Sequence, residues 1–319
     1  MSEEYPFKHS KLRSMVDSVY DSEALNSFRK SGQIIAKLRK EIASIVKPGK
    51  PALKICVEIE SRIRELGGKP AFPVNIGINE IAAHYTSPPG DTLTIPSGSM
   101  VKVDFGVHVN GYVTDTAVTV FYDPKFEPMV KAADDALQNA IKTFRGGVKL
   151  SDIGRVIQTT IGKYGFRPIS NLTGHSIERY SIHAGKSVPN VPVLAAGKAN
   201  EGEVFAIEPF VTLPDAAGSV TNMLPAQIYR YIKSKGVKND ESKKVLDDIY
   251  ARFSTLPFAP RWLEDKFPRE TAKRAMLDLT HNKCVGGYPV LVEETRRPVA
   301  QSEHTVLVGR DDCTVLTTD

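Results

Sequence analysis

An imperfect internal repeat is the feature that most constrains how this 319-residue chain can fold. Each half contains two helical patterns separated by a glycine-containing break, and then a β-rich run. That run begins just after Gly98 in the first half and just after Gly202 in the second. With these glycines aligned, Asp104 falls on Glu208, each six residues after its glycine. The sequence therefore predicts two related α+β halves, each carrying an acidic residue at the same point of a strand.

A second pair of acidic residues extends the repeat. Asp115 lies three residues before Val118, and Glu303 lies three residues before Val306, each ahead of a β-rich run. Four carboxylates thus occupy two pairs of equivalent positions. The halves differ in connection, because a tight turn joins the two acidic strands of the first half while residues 209–302 separate those of the second.

The tight turn of the first half has a strong local signature. Asn110-Gly111 separates two runs rich in β-branched residues, a pattern that favours a two-residue hairpin. In that register Asp104 pairs with Ala117, two residues from Asp115, so both aspartates project from the same sheet face. Diagonal neighbours of this kind lie about 7–8 Å apart. Two carboxylates on one enclosed face repel each other and require protons or cations.

The surroundings of the carboxylates favour a cation site. Acidic strand residues usually face solvent, but Glu208 lies in the run Val-Phe-Ala-Ile-Glu-Pro-Phe-Val, which is typical of a buried strand. Four carboxylates carry four negative charges, which two divalent cations neutralise. Histidine often completes such sites, and spacing alone does not exclude His108, which shares the strand parity of Asp104. The chain's histidines are His9, His84, His108, His175, His183, His281 and His304.

Helical and β-strand patterns surround this repeat. Helices are predicted from Ser22, as N-cap, to a Lys-Pro-Gly stop at 47–49, and at 51–66, 128–144, 151–164, 227–235, 241–252 and 268–281. Strands are predicted at 100–109, 112–121, 203–213 and 288–294. We therefore expect a lead-in at 1–21, a main domain at 22–217 and 283–319, and an inserted helical subdomain at 218–282. Trp262, inside the insertion, is expected to be a packing anchor.

Composition narrows the class of protein. No stretch approaches the ~18–20 apolar residues of a membrane span, and no apolar signal segment precedes residue 22, so we expect a cytoplasmic protein without membrane contact. Three widely spaced cysteines argue against a disulfide framework or a cysteine zinc site. The net charge of +5, without a basic block, permits contact with a ribosome but indicates no specific nucleic-acid partner. Nothing in the sequence requires more than a monomer.

At these residues the chain resembles the type II methionine aminopeptidases, in their archaeal form. The resemblance runs from about residue 23 to the C-terminus and includes the insertion. It implies the pita-bread (creatinase/aminopeptidase) fold, whose pseudo-twofold repeat matches the one above, and removal of the initiator methionine from nascent polypeptides whose second residue is small. The matching segments are Ala71-Phe72-Pro73, Asn79–Thr86, Val103–Gly106, Asn110-Gly111, Thr114-Asp115, Thr173–His175, Ile182-His183, Ile207–Phe210 and Gln301–Thr305.

The resemblance also implies roles for individual residues. Two divalent ions (cobalt, manganese, iron or zinc) would activate the attacking water, and Glu208 would be the general base. The metal ligands would be Asp104, Asp115, His175, Glu208 and Glu303, with Asp115 and Glu303 bridging. His84 and His183 would contact the substrate and stabilise the tetrahedral intermediate. The substrate pocket would be lined by Phe72, His84, Ile182, His183, Phe210, Tyr288 and Leu291.

Two other functions remain open from the sequence. An Xaa-Pro dipeptidase would use the same metal frame, but it carries an extra N-terminal domain for which the residues before Ser22 leave no room. A non-catalytic relative that binds ribosomes or RNA would have lost ligands, whereas all five ligand positions are present here. Keeping four buried carboxylates without metal would be destabilising, so catalysis is favoured.

Overall fold

The computed structural model describes residues 20–318, except the side chain of Leu224, so most of the predicted lead-in at 1–21 lies outside the described residues. Among residues 20–318, no helix combines the length and apolar character needed to cross a bilayer. The helices are α1 (Ser22–Ile45), α2 (Ala52–Glu65), α3 (Glu127–Thr143), α4 (Leu150–Lys163), α5 (Asp240–Phe253) and α6 (Arg269–His281). The strands are β1 (Lys69–Pro70), β2 (Asn75–Ile78), β3 (Ile81–Ala83), β4 (Met100–Val109), β5 (Tyr112–Phe121), β6 (Arg167–Pro168), β7 (Thr173–Ile177), β8 (Ser187–Pro189), β9 (Val204–Ile207), β10 (Phe210–Thr212), β11 (Val220–Tyr231), β12 (Val285–Glu293), β13 (Val299–Gln301), β14 (His304–Val308) and β15 (Cys313–Val315).

The first half packs α1 and α2 on one face of the β4–β5 hairpin. Ile35, Leu38 and Ile42 recur at helical spacing on α1 and meet the odd-numbered residues of β4, Val101 to Val107, which are fully buried. Each such aliphatic side chain contributes about 1.5–3 kcal/mol by burial. Because strand residues alternate, the even-numbered residues of β4, Asp104 among them, face away from the helices.

The hairpin itself has the predicted register. Asn110 (φ 53°) and Gly111 (φ 86°) both occupy the left-handed region, as a two-residue type I′ turn requires. Asp104 pairs with Ala117, and Asp115 pairs with Gly106, so the two aspartates share the face opposite the helices. At the other end of this half the N-cap prediction is wrong by one residue. Asp21, rather than Ser22, caps α1 by accepting a hydrogen bond from the amide of Ala24 at 2.7 Å.

The second half repeats the arrangement with α3 and α4 packed on the sheet of order β15-β14-β9-β7-β8. The single strand predicted at 203–213 is wrong, because the chain breaks it at Glu208-Pro209. Proline cannot donate to the ladder, so β9 pairs with β14 and β7, whereas β10 pairs with β13 and β6. Glu208 therefore lies where the chain passes from one sheet to another.

The inserted segment contains strand as well as helix. The helix predicted at 227–235 is wrong, because residues up to Tyr231 continue β11, which pairs with β12 through Ile228 and Tyr288. The pairing with β12 decides the outcome here, because the burial of residues 226–231 shows no clear alternation between two faces. β12 also pairs with β3, so the insertion extends a sheet that begins in the first half.

Helices α5 and α6 pack around a separate core that includes Trp262. A buried ion pair fixes this core to α2: the guanidinium of Arg261 meets Glu60 Oε1, and Trp262 Nε1 donates to Glu60 Oε2 at 2.8 Å. Arg261 also donates to Thr86 Oγ1 at 2.9 Å. Trp262 is thus the packing anchor expected from the sequence, while the insertion boundaries at 218 and 282 stay a prediction.

Candidate active site and metal centre

The acidic faces of the two halves meet at a cavity of about 390 Å³. Every side chain predicted for the site lines this cavity except Leu291. The lining members of the predicted set are Phe72, His84, Asp104, Asp115, His175, Ile182, His183, Glu208, Phe210, Tyr288 and Glu303. Up to 231 residues of sequence separate the members of this set. The site is therefore assembled by the fold and not by a local motif.

Leu291 lies beside the cavity lining and is partly buried near Phe210. Its strand partner on β3, Ala83, lines the cavity in its place. Sequence reasoning also missed Asn75 and Ile228, which line the cavity too. Asn75 lies three residues after Phe72 and could have been found from that proximity. Ile228 could not, because its segment was predicted to be a helix.

Three side chains form a compact ligand group. Asp115, His175 and Glu303 are buried, and one ligand atom from each lies within 4.8 Å of the others. His175 Nε2 is 3.6 Å from Asp115 Oδ2 and 3.7 Å from Glu208 Oε1. Gln301 Nε2 donates to Glu208 Oε2 at 3.2 Å and to Glu303 Oε2 at 3.5 Å. The imidazole and the carboxylates from both halves therefore converge on one point.

Several oxygens at this point lack hydrogen-bond donors. Asp104 Oδ1, Asp115 Oδ1 and Glu303 Oε1 are buried and have no partner among the described residues. Leaving buried acceptors unpaired is unfavourable, and a cation would satisfy several at once. Carboxylate oxygens with an imidazole nitrogen suit manganese, iron, cobalt and zinc. The residues present therefore fit a divalent metal.

The protonation of these groups follows from the same burial. Removal from water raises the pKa of Asp104 to about 7 and holds the pKa values of Asp115, Glu208 and Glu303 well above their ordinary values, with mutual repulsion adding to the shift of these three. Burial lowers the pKa of His175 well below its ordinary value. His175 is therefore a neutral imidazole at neutral pH, the form that binds a metal.

Two further histidines complete the cavity wall. His84, with a positive φ of 64°, places its Nδ1 at 3.2 Å from the carbonyl oxygen of Pro289. Its ring contacts Tyr288, which also contacts the ring of His183. Desolvation at the cavity wall lowers the pKa of His183 to about 4, although part of its side chain is exposed, and desolvation also lowers the pKa of His84. Both rings are therefore neutral at neutral pH.

The backbones that carry Asp115 and Glu303 are held together by a network that the sequence did not reveal. Thr305 Oγ1 accepts from the amide of Asp115 at 2.7 Å and donates to its carbonyl at 2.8 Å. The guanidinium of Arg39, from α1, donates to the carbonyl oxygens of Ala117 at 3.0 Å and of Glu303 at 3.1 Å. This network fixes β5 against the start of β14 and so fixes the separation of the two carboxylates.

The other described histidines near these strands have separate partners. His108 Nδ1 accepts a hydrogen bond from the amide of Gly111 at 3.2 Å. His304 Nδ1 is 2.7 Å from Thr317 Oγ1 in the core. Neither residue lines the cavity. The structure therefore excludes His108 from the site, which strand parity alone could not do.

Comparisons by sequence and by structure both find known proteins that are similar to this chain. The model of metallopeptidase family M24 matches residues 26–308. The methionine aminopeptidase of Methanothermobacter thermautotrophicus is 44% identical, over 92% of this chain and 98% of that protein. A thermophilic Arx1 structure has a TM-score of 0.79 at 16% identity, covering 94% of this chain and 92% of that one. The methionine aminopeptidase of Thermotoga maritima has a TM-score of 0.67 at 22% identity, covering 94% and 99%. At these low identities, the two structures establish the fold alone.

Proposed function

This chain belongs to metallopeptidase family M24, among its methionine aminopeptidases, and we propose that its cavity removes N-terminal methionine from polypeptides whose second residue is small. The observation that carries the proposal is the convergence of unpaired buried carboxylate oxygens from both halves on a neutral imidazole. We assign the type II subtype on the resemblance described above. The ligands assigned to the metal are Asp104, Asp115, His175, Glu208 and Glu303.

The charge of the site supports two metal ions. Four carboxylates carry four negative charges, which two divalent ions would neutralise, and Asp115 and Glu303 would be among the residues that hold them. Bound divalent metal supplies a Lewis acid that polarises a peptide carbonyl and lowers the pKa of water. Manganese, iron, cobalt and zinc all suit this donor set, so the experiment below compares them.

Glu208 is the group that we assign to proton transfer. Burial and the charges of Asp104 and Asp115 hold the pKa of Glu208 well above the ordinary value for glutamate, and groups with such shifts are candidates for proton transfer. Gln301 donates to Glu208 Oε2 and so holds the carboxylate in place. In this role Glu208 takes a proton from the attacking water and delivers it to the leaving amine.

His84 and His183 are assigned to the peptide bond that is cut. Pro289 offers only an acceptor, so His84 Nδ1 carries the proton and its Nε2 is an acceptor for a substrate N–H. His183 is neutral as well and keeps one N–H, which suits it to donate to the oxygen that becomes negatively charged. The two rings then have complementary roles toward one peptide group, one accepting and one donating a hydrogen bond.

The apolar wall of the cavity suits a methionine side chain. Phe72, Ile182 and Phe210 are almost fully buried, and Tyr288 adds a further aromatic ring. A thioether packs favourably against such rings and adapts to an irregular pocket. We place the reaction on nascent chains in the cytoplasm, carried out by a monomer, with ribosome contact permitted by the charge of +5.

The test is release of free methionine from Met-Ala-Ser and Met-Leu-Ser. The protein is stripped with a chelator and resupplied with manganese, iron, cobalt or zinc, alongside Glu208→Gln as the control. We expect metal-dependent cleavage of Met-Ala-Ser alone, lost in the control. Cleavage of Ala-Pro instead would indicate an Xaa-Pro dipeptidase. Folded, metal-loaded protein that cleaves none of these would contradict the proposal and favour the non-catalytic relative, which ribosome and RNA binding would then test.

A further inference from the structure

Asn75 places an unsatisfied hydrogen-bond acceptor in the wall of the cavity. The residue is 4% exposed, begins β2 and lines the cavity together with Phe72, His84 and Asp104. Its Oδ1 is buried and has no partner among the described residues. We propose that Asn75 Oδ1 accepts a hydrogen bond from the free α-amino group of the substrate. This inference rests on the proposed function and adds a residue that recognises the free N-terminus of the substrate.

The orientation of the amide is fixed by a hydrogen bond on its other side. Asn75 Nδ2 donates to the carbonyl oxygen of Pro73 at 2.9 Å. Exchanging the two ends of the amide would place one oxygen against another, so the acceptor end is the one without a partner. Asn75 is also the direct cross-strand partner of Asp104, so the two side chains project from the same face of the sheet.

Position decides which donor this acceptor can meet. Asn75 lines the cavity together with Phe72, part of the apolar wall assigned to the methionine side chain, and with its cross-strand partner Asp104, assigned to the metal centre. The α-carbon of the first residue lies between those two regions, and the N–H donor attached to it is the amino group. The thioether has no donor. An amide acceptor is also suitable electrostatically, because it adds no charge to a site that already has four carboxylates.

Two other asparagines show why Asn75 is distinctive. Asn171 lines the cavity as well, but its amide is fully used, accepting from the Val220 amide and donating to the Val220 carbonyl, both at 2.8 Å. Asn190 has a buried Oδ1 without a partner among the described residues, but it does not line the cavity. Among these three, Asn75 alone combines a free acceptor with a place in the cavity wall. The other two are therefore matched controls.

The experiment compares two ligands that differ in the amino group. Isothermal titration measures the Kd of L-methionine and of 4-(methylthio)butanoate, its analogue without the amine, for manganese-loaded wild type and variants. We expect Asn75→Leu to weaken methionine binding by roughly 10-fold and to leave the binding of the analogue unchanged. Asn75→Asp keeps an acceptor oxygen and should retain the preference for methionine. Asn171→Leu and Asn190→Leu should change both ligands by the same factor.

Each alternative role of Asn75 has its own outcome. An equal loss for both ligands in Asn75→Leu would show a purely structural role, and no loss for either would show that the acceptor meets only water. A parallel loss of manganese affinity would make Asn75 a metal ligand. Each of these results overturns the inference. If Asn75→Leu fails to fold, Asn75→Ala repeats the comparison. Cleavage of Met-Ala-Ser by the wild type is followed in parallel, so failure of the proposed function is recognised separately.

Discussion

The two halves place equivalent carboxylates by different means. Asp104 and Asp115 lie on one uninterrupted hairpin whose strands are joined by two residues. Glu208 directly follows β9 and Glu303 directly precedes β14, with residues 209–302 between them. The first pair is therefore specified by local sequence, and the second by long-range contacts. The comparison teaches that a pseudo-twofold site requires repeated geometry but not repeated connectivity.

The insertion lies in the half whose two acidic residues are not joined by a hairpin. Because no hairpin has to join Glu208 to Glu303, the chain between them can leave the sheet and form β11, α5 and α6 before it returns. The inserted segment then contributes Ile228 and Pro257 to the cavity wall. Both halves thus line the pocket, and the half with the looser connection adds side chains from an inserted segment.

The largest expected effect separates the two members of one equivalent pair. We expect Glu208→Gln to lower kcat by about 10²–10⁴-fold, because the general base is lost, with no recovery at high metal concentration. Asp104→Asn occupies the matching position but is assigned only to metal binding, so raising the metal concentration should restore much of its activity. Steady-state kinetics across a metal titration makes the comparison. Equal recovery of both variants would contradict different roles for the two positions.

The next effect concerns how the first half holds the insertion. The side chains of Arg261 and Glu60 are 7% and 3% exposed, so Arg261→Met leaves an uncompensated buried carboxylate and should lower the free energy of unfolding by about 3–5 kcal/mol. Glu60→Gln with Arg261→Met removes both charges and should recover part of this loss. Urea unfolding followed by the fluorescence of Trp262, the chain's one tryptophan, reports directly on this contact.

The control for that experiment is an exposed ion pair. Lys131 and Asp135 form an i,i+4 pair on α3, and their side chains are 61% and 40% exposed. Lys131→Met should change the free energy of unfolding by less than about 1 kcal/mol. If Arg261→Met lowered the free energy of unfolding by no more than Lys131→Met does, the insertion would be held by its apolar contacts alone.

A smaller effect is expected where α1 of the first half touches the second. Arg39 is partly buried, and desolvation lowers its pKa to about 10 but leaves it charged at neutral pH. It donates to the backbone carbonyl oxygens of Ala117 and Glu303. Arg39→Lys loses the forked geometry, so we expect metal affinity to fall by about 10–100-fold. Arg29→Lys, an exposed change on the same helix, should leave metal affinity unaltered. A similar loss in both variants would exclude a positioning role for Arg39.

Local sequence accounts for what could be predicted of the fold and site. Asn110-Gly111 sets the hairpin register, and strand parity then places Asp104 and Asp115 on one face without any knowledge of the rest. Pro209 is a local signal for the break between β9 and β10, since a proline rarely continues a central strand, but the apolar residues on both sides led to the prediction of one strand. Local rules therefore placed Asp104 and Asp115 on one sheet face correctly but missed a strand boundary.

What could not be predicted depends on distant partners. The segment around Ile228 forms a strand because β12 pairs with it, and no local pattern in the sequence identifies that partner. In the sequence, Arg39 resembles the other basic residues of α1. Its role becomes apparent only from its hydrogen bonds to the backbone of Ala117 and Glu303. The same applies to Asn75, whose free acceptor becomes apparent only when Pro73 is seen to occupy the opposite end of its amide.

The smallest expected effect tests how independent the hairpin is. Gly111 has a φ of +86°, and a Cβ there would lie 2.3 Å from the ring of Tyr180, whose amide donates to the Gly111 carbonyl from the second half. Gly165 has a similar φ of +78° with open space around it, so Gly165→Ala measures backbone strain alone, about 1–2 kcal/mol. Thermal unfolding should show Gly111→Ala to be the more destabilised by about 1 kcal/mol beyond that, the cost of displacing a partly flexible ring. Equal losses would mean that the turn is indifferent to Tyr180 and that the hairpin is specified by its own residues alone. A larger loss for Gly111→Ala would mean that even the locally specified half depends on the second half for its final geometry.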